Sequence, residues 1–263
     1  MSMLPLIVSL LPLSAEPAEA PARTAVEPLN LSLSALQDAE EEPKWSGSVS
    51  LGFTLTRGNT ETTTVAGSFD AERKVDENRW TANAWYNGSR QTDPDTDESE
   101  TTAKNYGGKV QYDRFVTEKL YWLANAKAER DEIAMLQLRA TGGLGMGYQF
   151  QDTEEFQLNG EAGLNYVHED LEGKSPDEYL AARLAYNAGY VWTETTKLGQ
   201  NMELLPSLED SDDWSGKLDT HMDVSMTEAM FLRVQHVLDY DNSPAAGANK
   251  ADNRLILTVG WSF

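Results

Sequence analysis

Three histidines, His168, His221 and His236, are the only imidazoles in the chain, and cysteine is absent. Hydrolysis by a serine needs an imidazole within reach of the hydroxyl and a third polar group to hold the ring. His221 stands between Asp219 and Asp223 on the polar face of an alternating segment. His168 adjoins Glu169 beside a loop, and His236 has no serine paired with it on its own segment. The residues therefore predict no catalytic centre, and the chain reads as a non-enzyme. Without cysteine there is neither a disulfide framework nor a thiolate metal site. Asp93, Asp95 and Asp97 have the spacing of part of a calcium loop, but the mid-loop glycine and the closing glutamate are missing. That run and Glu209-Asp210-Ser211-Asp212-Asp213 read as solvated acidic loops. A bridge through Ca²⁺ or Mg²⁺ to lipopolysaccharide is the one partner role expected of them. The run GGLGMG, residues 142–147, lies inside an alternating segment, where small residues suit close packing rather than a phosphate cradle. No cofactor and no bound metal are predicted.

A second set of reactive side chains follows a different rule. Lys109, Lys127, Glu129, Arg139, Glu161, Arg183, Glu203, Asp219 and Arg233 each stand mid-segment, on the face opposite the apolar one. Two arrangements are open. In one, these groups line a narrow water-filled path that favours cations. In the other, Lys127, Arg139, Arg183 and Arg233 pair with Glu129, Glu161, Glu203 and Asp239 and close the interior. The expectation is a narrow or partly closed pore, with a structural barrel and a salt-bridged lumen as the alternative.

Such charges need elements that present two unlike faces. The stretch Arg254–Phe263 shows the rule most plainly. Leu255, Leu257, Val259, Trp261 and Phe263 share one face, while Arg254, Thr258, Gly260 and Ser262 share the other, with Ile256 as the exception. Period two is the signature of a strand between two different surroundings. From Trp45 onward the pattern repeats, and twelve strands are counted. Short turns at 75–78, 116–119, 151–154, 193–196 and 227–229 alternate with longer loops that include 91–101, 170–177 and 241–250. Aromatics gather at both strand ends: Trp80, Trp122, Trp192 and Trp261 near the short turns, Tyr86, Tyr106, Trp214 and Tyr240 near the long loops. Amphipathic rings favour membrane–water interfaces, and short turns on one side with longer loops on the other belong to outer-membrane barrels. The predicted fold is all-β, a twelve-stranded antiparallel transmembrane β-barrel at 45–263. A soluble sandwich is the structural rival, but it has no reason to alternate its turn lengths. Gln200 and His236 fall on the apolar side by counting, which a bulge or a shifted boundary would explain.

Composition agrees. Lys+Arg number 21 against 43 Asp+Glu, a net charge of −22, which argues against a nucleic-acid partner. Mean hydropathy is −0.52, and no long apolar run follows the first residues, so helical spans are excluded while strand spans are not. Residues 1–20 read as a signal peptide, with an apolar core Met3–Leu13 and an Ala18-Glu19-Ala20 exit, although no Lys or Arg precedes the core. Residues 21–44 read as a disordered or periplasmic linker. Phe263 at the end of an aromatic strand is expected to be read by the barrel-assembly machinery, and outer-membrane lipid is the expected surrounding.

The segments WSGSVSLGFTLTRGNTETTT, AERDEIAMLQLRATGGLGMGYQF and GQNMELLPSLED resemble the family called domain of unknown function 481. Its members are often named putative salt-induced outer-membrane proteins. The resemblance runs from Trp45 to Phe263 and implies a bacterial outer-membrane barrel and a link to salt stress. It implies no activity and supplies no catalytic residues.

Overall fold

A computed structural model describes residues 44–56, 61–93, 96 and 98–263. The signal and linker expectations, residues 57–60 and most of the run Pro94–Asp97 lie outside these residues. Twelve strands follow one another: β1 Ser46–Thr56, β2 Glu61–Val75, β3 Asn78–Thr92, β4 Ser99–Phe115, β5 Leu120–Asp131, β6 Leu136–Asp152, β7 Phe156–Leu171, β8 Asp177–Thr193, β9 Thr196–Pro206, β10 Trp214–Ser225, β11 Met230–Asp241 and β12 Ala251–Ser262. Each pairs antiparallel with the next, and β12 pairs with β1, so the sheet closes into a barrel.

Alternation decides which side chains face where. Outward positions carry Leu51, Phe53, Leu144 and Leu255, exposed at 62, 68, 70 and 78%. Inward positions carry Ser50, Asp113, Asn165 and Arg183, none more than 1% exposed. This inverts the usual soluble arrangement, in which charged groups stay outside. Closure also leaves few strand edges, as a hydrocarbon surrounding demands. The outward aromatics pair near the rims, Trp80 with Tyr112 at one end and Trp214 with Tyr240 at the other, centroids 4.7 and 4.6 Å apart.

The connections at one end are 76–77, 116–119, 153–155, 194–195 and 226–229; at the other they include 172–176, 207–213 and 242–250. Two of the short turns share a construction. Thr117 Oγ1 accepts from the amides of Lys119 and Leu120, and Thr227 Oγ1 accepts from those of Ala229 and Met230. A threonine hydroxyl that caps its own turn in this way fixes hairpin register without glycine.

Some boundaries differ from the periodic reading. Strands β3 and β4 extend to Thr92 and back to Ser99, so much of the expected 91–101 loop is ladder. Polar residues continue a hairpin beyond the apolar band because backbone pairing does not depend on side-chain polarity. Strand β9 ends at Pro206, and the chain stays against β8 a little further through the Ala181–Ser207 bridge and the Leu208 amide, which donates to the Leu180 carbonyl at 2.8 Å. No bulge interrupts β9–β10 or β10–β11. Gln200 and His236 therefore do face outward. Gln200 is satisfied by the Tyr186 and Thr220 hydroxyls at 2.7 and 2.9 Å, and His236 by Asn253 at 3.2 Å.

Candidate functional site: a barrel interior crossed by ion pairs

The inward positions of β4 to β9 build the densest cluster. Glu161 on β7 accepts from Gln111 at 2.8 Å, from the Tyr121 hydroxyl at 2.9 Å and from Arg183 at 2.8 Å. Arg183 also reaches Glu203 on β9 at 2.8 Å. Glu203 in turn meets Lys127 of β5 at 3.4 Å and Lys109 of β4 at 3.7 Å. Strands β4 and β9 stand nearly opposite in the barrel order, so the Lys109–Glu203 contact spans the lumen. Below this cluster, Arg79 holds Asp113 at 2.7 Å and lies over the Phe115 and Tyr121 rings, 5.2 and 5.0 Å from their centroids. Room for the Tyr121 ring comes from Gly147, where a Cβ would fall 2.1 Å from it. This accounts for part of the glycine run.

Two further spans lie toward the long-loop end. Arg139 on β6 bonds Glu169 at 2.5 Å and crosses to Asp241 of β11 at 2.6 Å. Arg254 on β12 pairs with Asp239 and approaches Asp131 of β5 at 3.7 Å. Lys217 shares Asp239 at 3.4 Å and sits over the ring of Trp85, 4.6 Å from its centroid. On the remaining wall, Arg233 makes a two-pronged contact with Asp223 at 2.7 and 2.8 Å, and Asp219 receives Gln235 at 2.5 Å and faces His221 at 3.2 Å. A cation–carboxylate pair gains enough to offset its desolvation only when its geometry is good and its other hydrogen-bonding positions are filled. Glu161, with three donors, meets that condition.

The spans divide the interior. A cavity of about 270 Å³ lies beside Ser50, Asp70, Asn83, Asp219, His221 and Arg233. A smaller one of about 80 Å³ lies toward the long loops. Trp85, Lys127, Glu203, Lys217 and Arg254 line both and form the septum between them. The larger cavity is lined by six cationic side chains (Lys109, Lys127, Arg183, Lys217, Arg233 and Arg254) and three carboxylates (Asp70, Glu203 and Asp219). Glu129, Glu161, Asp223 and Asp239, just outside that lining, bond Lys127, Arg183, Arg233, Lys217 and Arg254 and balance the excess.

The outer mouth is covered by the loop 242–250. Ala245, 2% exposed, packs against Leu136 of β6 and Leu171 of β7, with Met135 and Ala248 beside it. Lys174 donates to the carbonyls of Ser243 and Pro244 at 3.3 Å each, and Asn242 donates to the Asp212 carbonyl at 2.6 Å. The loop leaves β11 and lands on β6 and β7, so it crosses the opening. Beneath it Asp213, in the loop after β9, has its carboxyl pushed up to about 6 by burial and by the charges of Glu169 and Asp241.

Each inward charge named from alternation stands on the interior face. Their partners follow spatial order rather than sequence order. Arg233 pairs with Asp223 and not with Asp239, because register sets Asp223 directly opposite it. Arg139 bonds Glu169 and Asp241 more closely than Glu129, which lies 3.9 Å away. Arg79, Asp113, Gln111, Tyr121 and Trp85 were not singled out from sequence, and Asp131 and Arg254 were read as polar-face residues without a partner. Parity alone would have placed Trp85 inward beside Asn83 and Asn87. Of the histidines, His168 faces outward at 3.3 Å from Glu178, and His221 is packed over Gly199. Among the described residues no group of His, Asp and Glu side chains is arranged to hold a metal ion.

The family described as "Protein of unknown function, DUF481" matches residues 49–263. No curated protein matches the chain. Among solved structures, the chain is similar to the NanC porin, with 9% identity, 84% of this chain and 99% of that one covered, and a TM-score of 0.49. It is also similar to the COG4313 outer-membrane channel of Pseudomonas putida F1 (14% identity, 84 and 96% covered, TM-score 0.44). An anion-selective porin of Comamonas acidovorans follows at 9% identity, 84 and 99% covered, TM-score 0.40. Likenesses at this level extend no function to this chain.

Proposed function

The chain belongs to this family of unknown function, and from that premise we propose that it is an integral β-barrel of the bacterial outer membrane whose interior is closed to free diffusion. The location is supported by the outward apolar band, the rim aromatics and the closed sheet. Among the described residues no helix is long and apolar enough to cross a membrane, so strands would do the crossing. Closure is carried by one observation: Lys109–Glu203, Arg139–Asp241 and Arg254–Asp131 each join nearly opposite strands. Refolded full-length protein in a planar bilayer tests it. The expected result is no steady conductance at moderate voltage; a stable open level with ion selectivity would overturn the closed reading.

The second reading is a narrow channel, favoured by the larger cavity, which becomes continuous if the septum moves. Every cation of the cavity lining is paired with a carboxylate, so a cation preference in that channel would come from the acidic loops. Reversal potentials in asymmetric KCl would decide its sign. Recognition of the strand ending at Phe263 by the assembly machinery, divalent bridging at the acidic loops and induction by salt belong to the same proposal. The last is tested by following transcript and protein levels after a step in external NaCl.

A further inference from the structure

Every neighbouring strand pair but one runs nearly the full length of its shorter member. Strands β1 and β2 stay in register from Ser46 with Glu72 to Thr56 with Thr62, and β11 and β12 from Met230 with Trp261 to Tyr240 with Ala251. The closing seam is different. Strands β1 and β12 pair only from Ser48 with Ser262 to Leu51 with Val259, extended at the inner end by the mutual backbone bonds of Gly47 and Phe263 at 3.0 and 2.9 Å. At Gly52 the strands still touch, since a Cβ there would stand 2.3 Å from the Leu257 carbonyl oxygen. Beyond it, among the described residues, Phe53–Thr56 of β1 has no ladder partner on the β12 side.

Unpaired strand edges are costly in hydrocarbon, where no water replaces the missing partners. This one opens in the half of the wall nearer the long loops. Phe53, Leu51, Leu255 and Leu257 flank it on the outside, all more than half exposed. Directly behind it lies the larger cavity, whose wall includes Ser50, Ile256 and Thr258. Ile256, the one break in the alternation of β12, places an apolar group inside, near Val237 and Ala66 in the same cavity wall. The buried Thr258 hydroxyl, in a residue 4% exposed, has no partner. Deeper in the same cavity stand Arg233, Lys217 and Arg254.

We propose that the β1–β12 seam is a lateral port through which the acyl chain of an anionic single-chain amphiphile, of the fatty-acid class, passes between the membrane and the interior cavity. The apolar rim and Ile256 take the chain, and Arg233, whose contact with the exposed Asp70 is a loose 3.6 Å, takes the carboxylate in place of Asp70. This rests on the outer-membrane reading. It adds that closing the two ends of the barrel does not isolate the cavity.

The test uses the full chain in phosphatidylcholine vesicles with a diazirine-bearing palmitate as probe. After illumination, labelled residues are read by mass spectrometry. Labels are expected on the outward Leu255 and on the inward Ile256 and Thr258. Because the chain has no cysteine, Phe53→Cys with Leu257→Cys can be bridged across the seam by a short bis-maleimide without side reaction. Bridging should lower the inward labels at least tenfold and leave Leu255 labelled. A Ser48→Cys, Ser262→Cys pair, bridged where the strands are already in register, should change neither. Inward labelling that survives the Phe53–Leu257 bridge, or that never occurs while Leu255 is labelled, overturns the port. Loss of labelling at Leu255 as well would instead overturn the membrane reading. Hydrogen exchange on the unmodified protein gives a second readout. Seam-facing amides in 53–56 should exchange at least tenfold faster than those in 48–51, and equal protection would overturn the port.

Discussion

The two halves of the barrel interior are built on different principles. The wall from β4 to β8 is packed: Tyr121, Asp113, Asn165, Val167 and Arg183 are all at 0 or 1% exposure. The wall from β9 through β12 to β3 faces the larger cavity, and the Asp70 side chain there retains 42% exposure. The same alternation produced both. What separates them is what stands opposite each polar group. In the packed half, glycines on β6 let large side chains reach one another, and each charge meets several donors or acceptors. In the open half, the contacts that reach beyond the adjacent strand are longer, Arg233 to Asp70 at 3.6 Å and Arg254 to Asp131 at 3.7 Å, and the centre stays unfilled. Charge content therefore says little about whether a lumen is filled; the small residues facing those charges say more.

The largest expected effect comes from breaking the packed half. Arg183→Met leaves Glu161 and Glu203 without their shared cation, and removing one partner of a buried pair costs about 3–5 kcal/mol. Arg233→Met removes a cation whose pair with Asp223 keeps 12 and 19% side-chain exposure and whose second partner Asp70 keeps 42%, and should cost about 1–2 kcal/mol, less than the fully buried pair. Urea unfolding of both variants in lipid vesicles checks the contrast; equal losses would show that the two halves do not differ.

A smaller effect separates two glycines. Gly147→Ala drives a methyl group toward the Tyr121 ring and should cost about 1–3 kcal/mol, as overpacking does. Gly189→Ala meets nothing closer than 3.8 Å and should be nearly silent in the same unfolding assay.

The smallest effect concerns the mouth. The Asp213 carboxyl sits at about 6 in the folded protein against an ordinary value of 3.8, so the folded state binds the proton more tightly. A raised acid destabilises once ionised: the penalty is absent below 3.8 and complete above about 6. The loops around Asp213 should therefore hold more firmly at pH 5 than at pH 7.5. Ala245→Cys, probed with a membrane-impermeant thiol reagent, should react a few-fold more slowly at the lower pH after correction for thiolate fraction. Asp213→Asn should abolish the difference.

Strand number and facing were legible because period two is a local property. Trp80, Ala82, Ala84 and Tyr86 announce one face of β3 without reference to any other strand, and Asn83 and Trp85 the other. Partners were not legible, because Arg139–Asp241 joins positions 102 apart and depends on barrel size and shear. The short seam was also hidden. Residues 52–56 alternate like the rest of β1, and nothing in them marks where the pairing stops. The outward Gln200 and His236 were visible as exceptions, but only continuous register distinguishes true outward polarity from a bulge.

The latch formed by Ala245 against Leu136 and Leu171 sits on the connection that delivers the final strand. The same connection therefore ties the cover of the mouth to the strand that closes the sheet on β1, and a cut within residues 242–250 would loosen both together.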